Sequence, residues 1–208
     1  MAEVLVISGG IGSGKSTVCR ILEEKYQWPV YEADSKVKEL YHTSPTLLSD
    51  IESKLGASFR DESGAFQPYL LASRIFTDPR ALSDVESLVF PVLMADFDRW
   101  KEKYDNKDFV VLESATILEK PELAGIGDKV VVVDAPVDVR IERALSRGGV
   151  TRDAIEARVS RQMLMNRISE GNVPDEVDYV IDNGAGMKQL DENIADCVCF
   201  LIGCGENK

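Results

Sequence analysis

Short apolar runs punctuate the chain, and between them the apolar positions recur at helical rather than alternating spacing. The runs are Val4-Leu5-Val6-Ile7, Trp28-Pro29-Val30-Tyr31, Phe109-Val110-Val111-Leu112, Lys129-Val130-Val131-Val132-Val133-Asp134 and Tyr179-Val180-Ile181. Continuous apolar stretches of this length suit strands buried on both faces of a parallel sheet. A helical stripe begins with Val18, Ile21 and Leu22, and another, through Ile194, Val198 and Leu201, closes the chain. Strands alternating with helices in this way predict a doubly wound parallel sheet.

The region from about 35 to 104 breaks the alternation, because strand-like runs are absent. Leu40, Leu47, Leu48, Ile51 and Leu55 recur at helical spacing, and Gly56 with Arg60-Asp61-Glu62-Ser63-Gly64 marks a loop or turn. Two further helices are expected, one around Leu70 to Phe76 and one from Pro79 to about Tyr104, with Pro79 at a helix start and Pro91 kinking the second. The alternating charges of Asp96 to Lys103 read as a solvated face. Later in the chain, Ala135-Pro136 ends the strand over 129–134 before a helix that Gly148-Gly149 stops, and Thr151 is placed to cap the next.

At 208 residues the chain can bury a core of ordinary size. Its longest uncharged apolar run, Cys197 to Ile202, is far short of a bilayer span, and no basic leader precedes the first strand, so a cytoplasmic protein is expected. Four cysteines and the single His42 do not make a disulfide framework or a metal cluster, and the thiols are expected to be buried or neutral. A formal net charge of −12 argues against nucleic-acid or anionic-membrane partners, leaving small molecules. Any phosphate site must therefore be local. Arg140, Arg143, Arg147, Arg152, Arg158, Arg161 and Arg167 supply that locality, opposed within their stretch by Glu142, Asp153 and Glu156. Arg140, Arg143 and Arg147 share a helix face, which suits a lid over a triphosphate, although pairing with the nearby acids is the expectation for about half of the group.

The chemistry is concentrated in Gly9-Gly10-Ile11-Gly12-Ser13-Gly14-Lys15-Ser16-Thr17, which fits G-x-x-x-x-G-K-[S/T] between a strand and a helix. Glycines there let successive N–H groups of residues 10–17 turn toward one polyphosphate at a helix N-terminus. Lys15 would reach the outer phosphates and the Ser16 hydroxyl would ligate magnesium. A dinucleotide fingerprint is excluded, since its third glycine falls on Lys15. A regulatory GTPase is disfavoured because Asn106-Lys107-Asp108-Phe109 puts phenylalanine where a guanine-binding aspartate belongs. Asp34 follows the second strand at the edge that faces the ligand crevice, where a catalytic carboxylate and a plain helix cap are both open. Glu113, at the end of the third strand, is a candidate for holding a magnesium-bound water. Length, insert and arginines fit a small-metabolite kinase: a P-loop core at about 1–34, 105–140 and 176–208, a helical substrate-binding insert at about 35–104 and a short helical lid at about 141–175.

The P-loop, Val30-Tyr31-Glu32-Ala33-Asp34, Val131-Val132-Val133-Asp134-Ala135-Pro136, Arg143, Arg147, Arg158 through Gln162, and Val180-Ile181-Asp182-Asn183-Gly184 together resemble the dephospho-CoA kinase family, in order and over nearly the whole chain. The resemblance implies ATP and magnesium as cofactors, dephospho-CoA as acceptor, and transfer to the ribose 3′-hydroxyl by a monomer or weak homo-oligomer. It implies Asp34 and Lys15 as catalytic residues, Arg143 and Arg147 as clamps on ATP, and Asn183 near the adenine. Two departures fall on the acceptor side. Phe90-Pro91-Val92-Leu93 stands where the family has His-Pro-Leu-Ile, and Glu113-Ser114-Ala115-Thr116-Ile117 stands for Asp-x-Pro-Leu-Leu, with Glu119 keeping the trailing acid. A nucleotide-binding homologue without catalysis, or a kinase for another acceptor, is the alternative.

Overall fold

The structure is a computed structural model describing residues 1–120, 123 and 125–204. The chain forms two compact units, one made of Met1–Glu32 and the chain from Tyr104 onward, the other of Ala33–Lys103.

The first unit is built on a five-stranded parallel sheet, β1 (Glu3–Ser8), β2 (Val30–Glu32), β3 (Phe109–Glu113), β4 (Lys129–Asp134) and β5 (Tyr179–Asp182), in the order β2-β3-β1-β4-β5. All five residues of β3 are buried, as a strand covered on both faces requires. Side-chain alternation divides the sheet residues between two layers. Leu5, Ile7, Phe109, Val111, Val131, Val133 and Ile181 face α1 (Lys15–Tyr26) and α9 (Met187–Leu201), whose Val18, Leu22, Leu190 and Ile194 complete that core. On the other face Val132 packs with Met165 and Ile168 of α8 (Met163–Ser169). The second strand is shorter than its apolar run: Trp28 lies outside the ladder with its ring 4.8 Å from that of Phe109, inside the first core.

Between β4 and β5 come α6 (Val137–Ser146), α7 (Arg152–Arg161) and α8. Gly148 and Gly149, at φ 72° and 79°, stop α6 as expected, and the Thr151 hydroxyl oxygen caps α7 by accepting from the Ala154 N–H at 3.4 Å. The break between α7 and α8 falls at Gln162, which no glycine or proline marks. The buried thiols are free: burial pushes Cys19 up, and pushes Cys197 up to about 12.

The second unit is helical: α2 (Ala33–Thr43), α3 (Leu47–Leu55), α4 (Pro68–Thr77) and α5 (Pro79–Lys101). Asp61 organises the expected turn, its Oδ1 accepting from the N–H groups of Ser63 and Ala65 and from the Ser63 hydroxyl. The helix α5 runs unbroken through Pro91 and packs on α2, α3 and α4. Its buried positions Ala81, Val85, Val89, Leu93 and Phe97 form one stripe. No described helix is long and apolar enough to cross a membrane.

Asp78 starts α5 by accepting from the N–H groups of Arg80 and Ala81 at 3.0 and 3.2 Å. The bond from Ala81 leads in holding its carboxyl below the usual range, with Arg80 and Arg74 contributing. A depressed carboxylate stabilises the fold above its unfolded pKa and loses that contribution as pH falls through its folded one. Asp78→Asn keeps a capping oxygen that does not titrate. Its melting temperature should therefore fall less steeply than that of wild type as pH drops below about 4, read by circular dichroism melts.

Candidate active site

The loop between β1 and α1 sits at the C-terminal edge of the sheet, where ligands bind in open α/β folds. Gly9, Gly12 and Gly14 take φ values of 151°, 75° and 100°, and the latter two lie in the left-handed region that disfavours side chains. Space is equally restrictive. A Cβ on Gly12 would meet the Arg140 carbonyl, one on Gly10 would meet the Arg140 guanidinium, and one on Gly14 would meet the Asn183 amide. The glycines are thus required by what packs around the loop as well as by its curvature.

Arg140 is the largest of those neighbours. Helix periodicity puts it on the face of Arg143 and Arg147, which suits a lid, but its side chain is 0% exposed and it braces the loop from behind. Its Nε donates to the Ile11 carbonyl at 3.2 Å, its Nη2 donates to Gln162 Oε1 at 3.0 Å, and its Nη1 lies 4.0 Å from Asp134 Oδ1. Burial pushes the guanidinium below its ordinary value, opposed by the Asp134 charge, and that charge together with the two hydrogen-bond acceptors offsets the desolvation. The other arginines behave differently. Arg143 is half-buried on α6, Arg147, Arg158 and Arg161 are exposed, and Arg152 pairs with Glu142 and Glu156.

Asn183 is also a brace. It is 5% exposed, and its Nδ2 donates to the Ser13 carbonyl at 2.8 Å while its own N–H bonds Asp134 O. A side chain that buried, bonded to the loop's main chain, holds the loop's shape. Within the loop, Ser13 N–H closes a turn on Gly10 O at 3.1 Å, and Gly14 O accepts from Thr17 and Val18 to start α1.

Lys15 Nζ donates to Gly9 O at 2.9 Å and stands 3.8 Å from Glu113 Oε1. Glu113 is 8% exposed at the end of β3, in register with Ile7 of β1 and Glu32 of β2, so strand pairing delivers a carboxylate to the loop's lysine. Ser16, in the first turn of α1, is exposed. A hydroxyl and a carboxylate are hard oxygen donors, which fits magnesium shared with phosphates. No group of three or more His, Cys, Asp or Glu among the described residues could cage a metal unaided. Asp34 belongs to the helical unit. That helix begins at Ala33, so Asp34 lies inside its first turn, exposed, rather than at the cap.

Sequence reasoning missed the reach of Gln162 to Ile11 and Arg140 and the bracing roles of Arg140 and Asn183. It also missed a cavity of about 550 Å³ in the sheet unit, lined by Ile117, Leu118, Leu164, Arg167 and Val177 among others. Glu119 borders it, and burial raises its carboxyl.

The dephospho-CoA kinase (CoaE) family model matches residues 3–189. A dephospho-CoA kinase of Bacteroides fragilis is 31% identical over 204 residues, covering 97% of this chain and 94% of that protein. One from Chlorobium luteolum is 32% identical, covering 94% and 89%. In fold, the chain is similar to a Thermus thermophilus protein with TM-score 0.79 and 23% identity, over 95% and 97% of the two chains. A dephospho-CoA kinase from Campylobacter jejuni superimposes with TM-score 0.62 and 18% identity over 98% and 100%, and a shikimate kinase from Acinetobacter baumannii with 0.57 and 14% over 100% and 97%. With a glycine-rich loop braced at the edge of a parallel sheet, and with family likeness running through almost the whole sequence, the chain belongs to the dephospho-CoA kinase family of enzymes.

Proposed function

We propose that the protein transfers the γ-phosphoryl group of ATP, with magnesium, to the ribose 3′-hydroxyl of dephospho-CoA, giving ADP and coenzyme A. The observation that carries this reading is the braced P-loop, with Lys15 between Gly9 O and Glu113, in a chain of this family. A bond forms between the 3′-oxygen and the γ-phosphorus, and the bond from that phosphorus to the β,γ-bridging oxygen breaks. The hydroxyl proton leaves to the Asp34 carboxylate.

The loop holds the polyphosphate through backbone N–H groups other than those of Ile11, Ser13 and Thr17, which bond within the protein, and Lys15 neutralises charge on the outer phosphates. Ser16 and Glu113 would hold magnesium, Glu113 through water, and the ion supplies charge neutralisation on the phosphate oxygens. Arg143 on α6 and Arg147 just past its end clamp ATP. Phosphoryl transfer needs positioning and electrostatic stabilisation more than covalent chemistry, which is what such a loop provides. A sugar hydroxyl, unlike an anionic phosphate acceptor, must shed a proton as the bond forms, and Asp34 is assigned that role. Phe90, half-buried on α5 where the family's imidazole would stand, bears on the acceptor and leaves this donor chemistry unchanged. The strong negative charge and the small-molecule substrates fit a cytoplasmic enzyme acting as a monomer or weak homo-oligomer.

Purified protein with ATP, magnesium and dephospho-CoA should form coenzyme A and ADP, followed by chromatography. Transfer only to some other hydroxyl acceptor would reject this substrate, and ATP binding without any transfer would reject catalysis. Asp34→Asn should keep ATP affinity and lose about 10² to 10⁴ in kcat, whereas Lys15→Ala should damage transfer most. Near-normal turnover in Asp34→Asn would remove the proton acceptor from this mechanism. Asn183→Ala strands the Ser13 carbonyl, and should cost about 1 to 3 kcal/mol in a denaturant titration and weaken ATP binding in calorimetry.

A further inference from the structure

Ile11 is held by the segment between β4 and β5 through its N–H, its carbonyl and its side chain. Its N–H donates to Gln162 Oε1 at 3.0 Å, and its carbonyl accepts from Arg140 Nε at 3.2 Å. Its side chain packs against Ile141, Ala144, Ile155 and Val159, a small apolar cluster shared by α6 and α7. Gln162 closes the ring, because the same Oε1 also accepts from Arg140 Nη2 at 3.0 Å.

The backbone of Gln162 occupies an equally pivotal position. At φ −81° and ψ 66° it ends α7, its N–H bonding Val159 O, and it opens α8, its carbonyl accepting from Asn166 N. One residue therefore forms the elbow between two helices and reaches, 151 positions back in sequence, to a main-chain N–H of the phosphate loop. Arg143 lies one turn beyond Arg140 on α6, and Arg158 and Arg161 lie on α7 just before the elbow.

We infer that Gln162 is a positioning residue, a latch that registers the arginine-bearing helices to the P-loop through Ile11 and Arg140. The inference rests on the reading of that loop as the ATP site. A shift of α7 and α8 must either break two hydrogen bonds to one carboxamide oxygen or carry Ile11 with it. Loop and arginines accordingly act as one body toward the polyphosphate, and the loop's curvature depends on a side chain outside its motif. Only the acceptor oxygen is needed, so a carboxylate can replace the amide while a shorter or apolar side chain cannot.

The test compares Gln162→Ala, Gln162→Asn and Gln162→Glu by hydrogen exchange of the peptide containing Ile11, and the first two by calorimetry with ATP. Alanine and asparagine should speed Ile11 exchange and weaken ATP binding about tenfold, with KM for ATP rising more than kcat falls. Glutamate, which still accepts from both donors, should retain slow exchange. Wild-type exchange and affinity in the asparagine variant, or exchange in the glutamate variant as fast as in the asparagine one, would overturn the latch. Gln162→Asn and Gln162→Glu decide the matter even if the alanine variant does not fold. Exchange and calorimetry use no acceptor, so a wrong assignment of dephospho-CoA leaves these two readouts intact. Failure of wild type to bind ATP would reject the nucleotide reading, while the exchange comparison still judges the latch.

Discussion

Burial of one positive charge behind the phosphate loop is the constraint on which the sheet unit depends. Arg140 is fully enclosed, yet its guanidinium meets a backbone carbonyl, a carboxamide oxygen and the fringe of the Asp134 carboxylate. A buried charge without such partners would be strongly destabilising, so the residues that surround it are held to their places by the need to satisfy it. That requirement reaches the loop itself: the guanidinium and carbonyl of Arg140 leave no room for a Cβ at Gly10 or Gly12. The motif glycines are thus as much a consequence of packing as of phosphate geometry.

Strand pairing supplies the rest of the site. The parallel register aligns Ile7, Glu113 and Glu32 across three strands, so the ends of β1, β3 and β2 arrive together beneath Lys15. Asp134 and Asp182 are paired in the same way at the ends of β4 and β5, and from there Asn183 reaches the Ser13 carbonyl. An edge assembled from five strands can place side chains from widely separated segments within a few ångströms of one loop. It does so with little freedom, because each strand is hydrogen-bonded to its neighbour.

The arginine-rich segment shows how one composition serves different ends. Arg140 is a structural charge, Arg152 is engaged by Glu142 and Glu156 on the surface, and Arg143, Arg147, Arg158 and Arg161 are the ones that a ligand could recruit. Exposed pairs such as those of Arg152 contribute little stability, whereas the enclosed one governs the loop. The distinction matters for function, since only side chains that emerge can meet a polyphosphate. It also explains why Gln162, a neutral residue with a well-placed oxygen, does work that a further arginine could not.

Much was legible from the chain alone. The β-branched runs around Val4, Val110 and Val131 announced buried parallel strands because only strands covered on both faces are apolar without alternation, and the helical spacing over 35–104 separated the second unit from the sheet. The glycine, lysine and serine spacing of residues 9–17 marked a candidate phosphate site, since the backbone demands of such a loop are local. Helix starts at Pro79 and Thr151 were equally readable, one from its fixed φ and the other from its hydroxyl. What periodicity could not separate was Arg140 from Arg143, three residues apart on one face of one helix: which of them is enclosed depends on where α6 lies against Ile11. The break at Gln162 and the reach of Asn183 to Ser13 were likewise invisible, because no local preference encodes a partner 151 or 170 residues away. Local sequence determined the elements and the loop's chemistry; tertiary packing decided which charges would be buried, because desolvation is a property of the assembled neighbourhood and not of the residue that carries the charge.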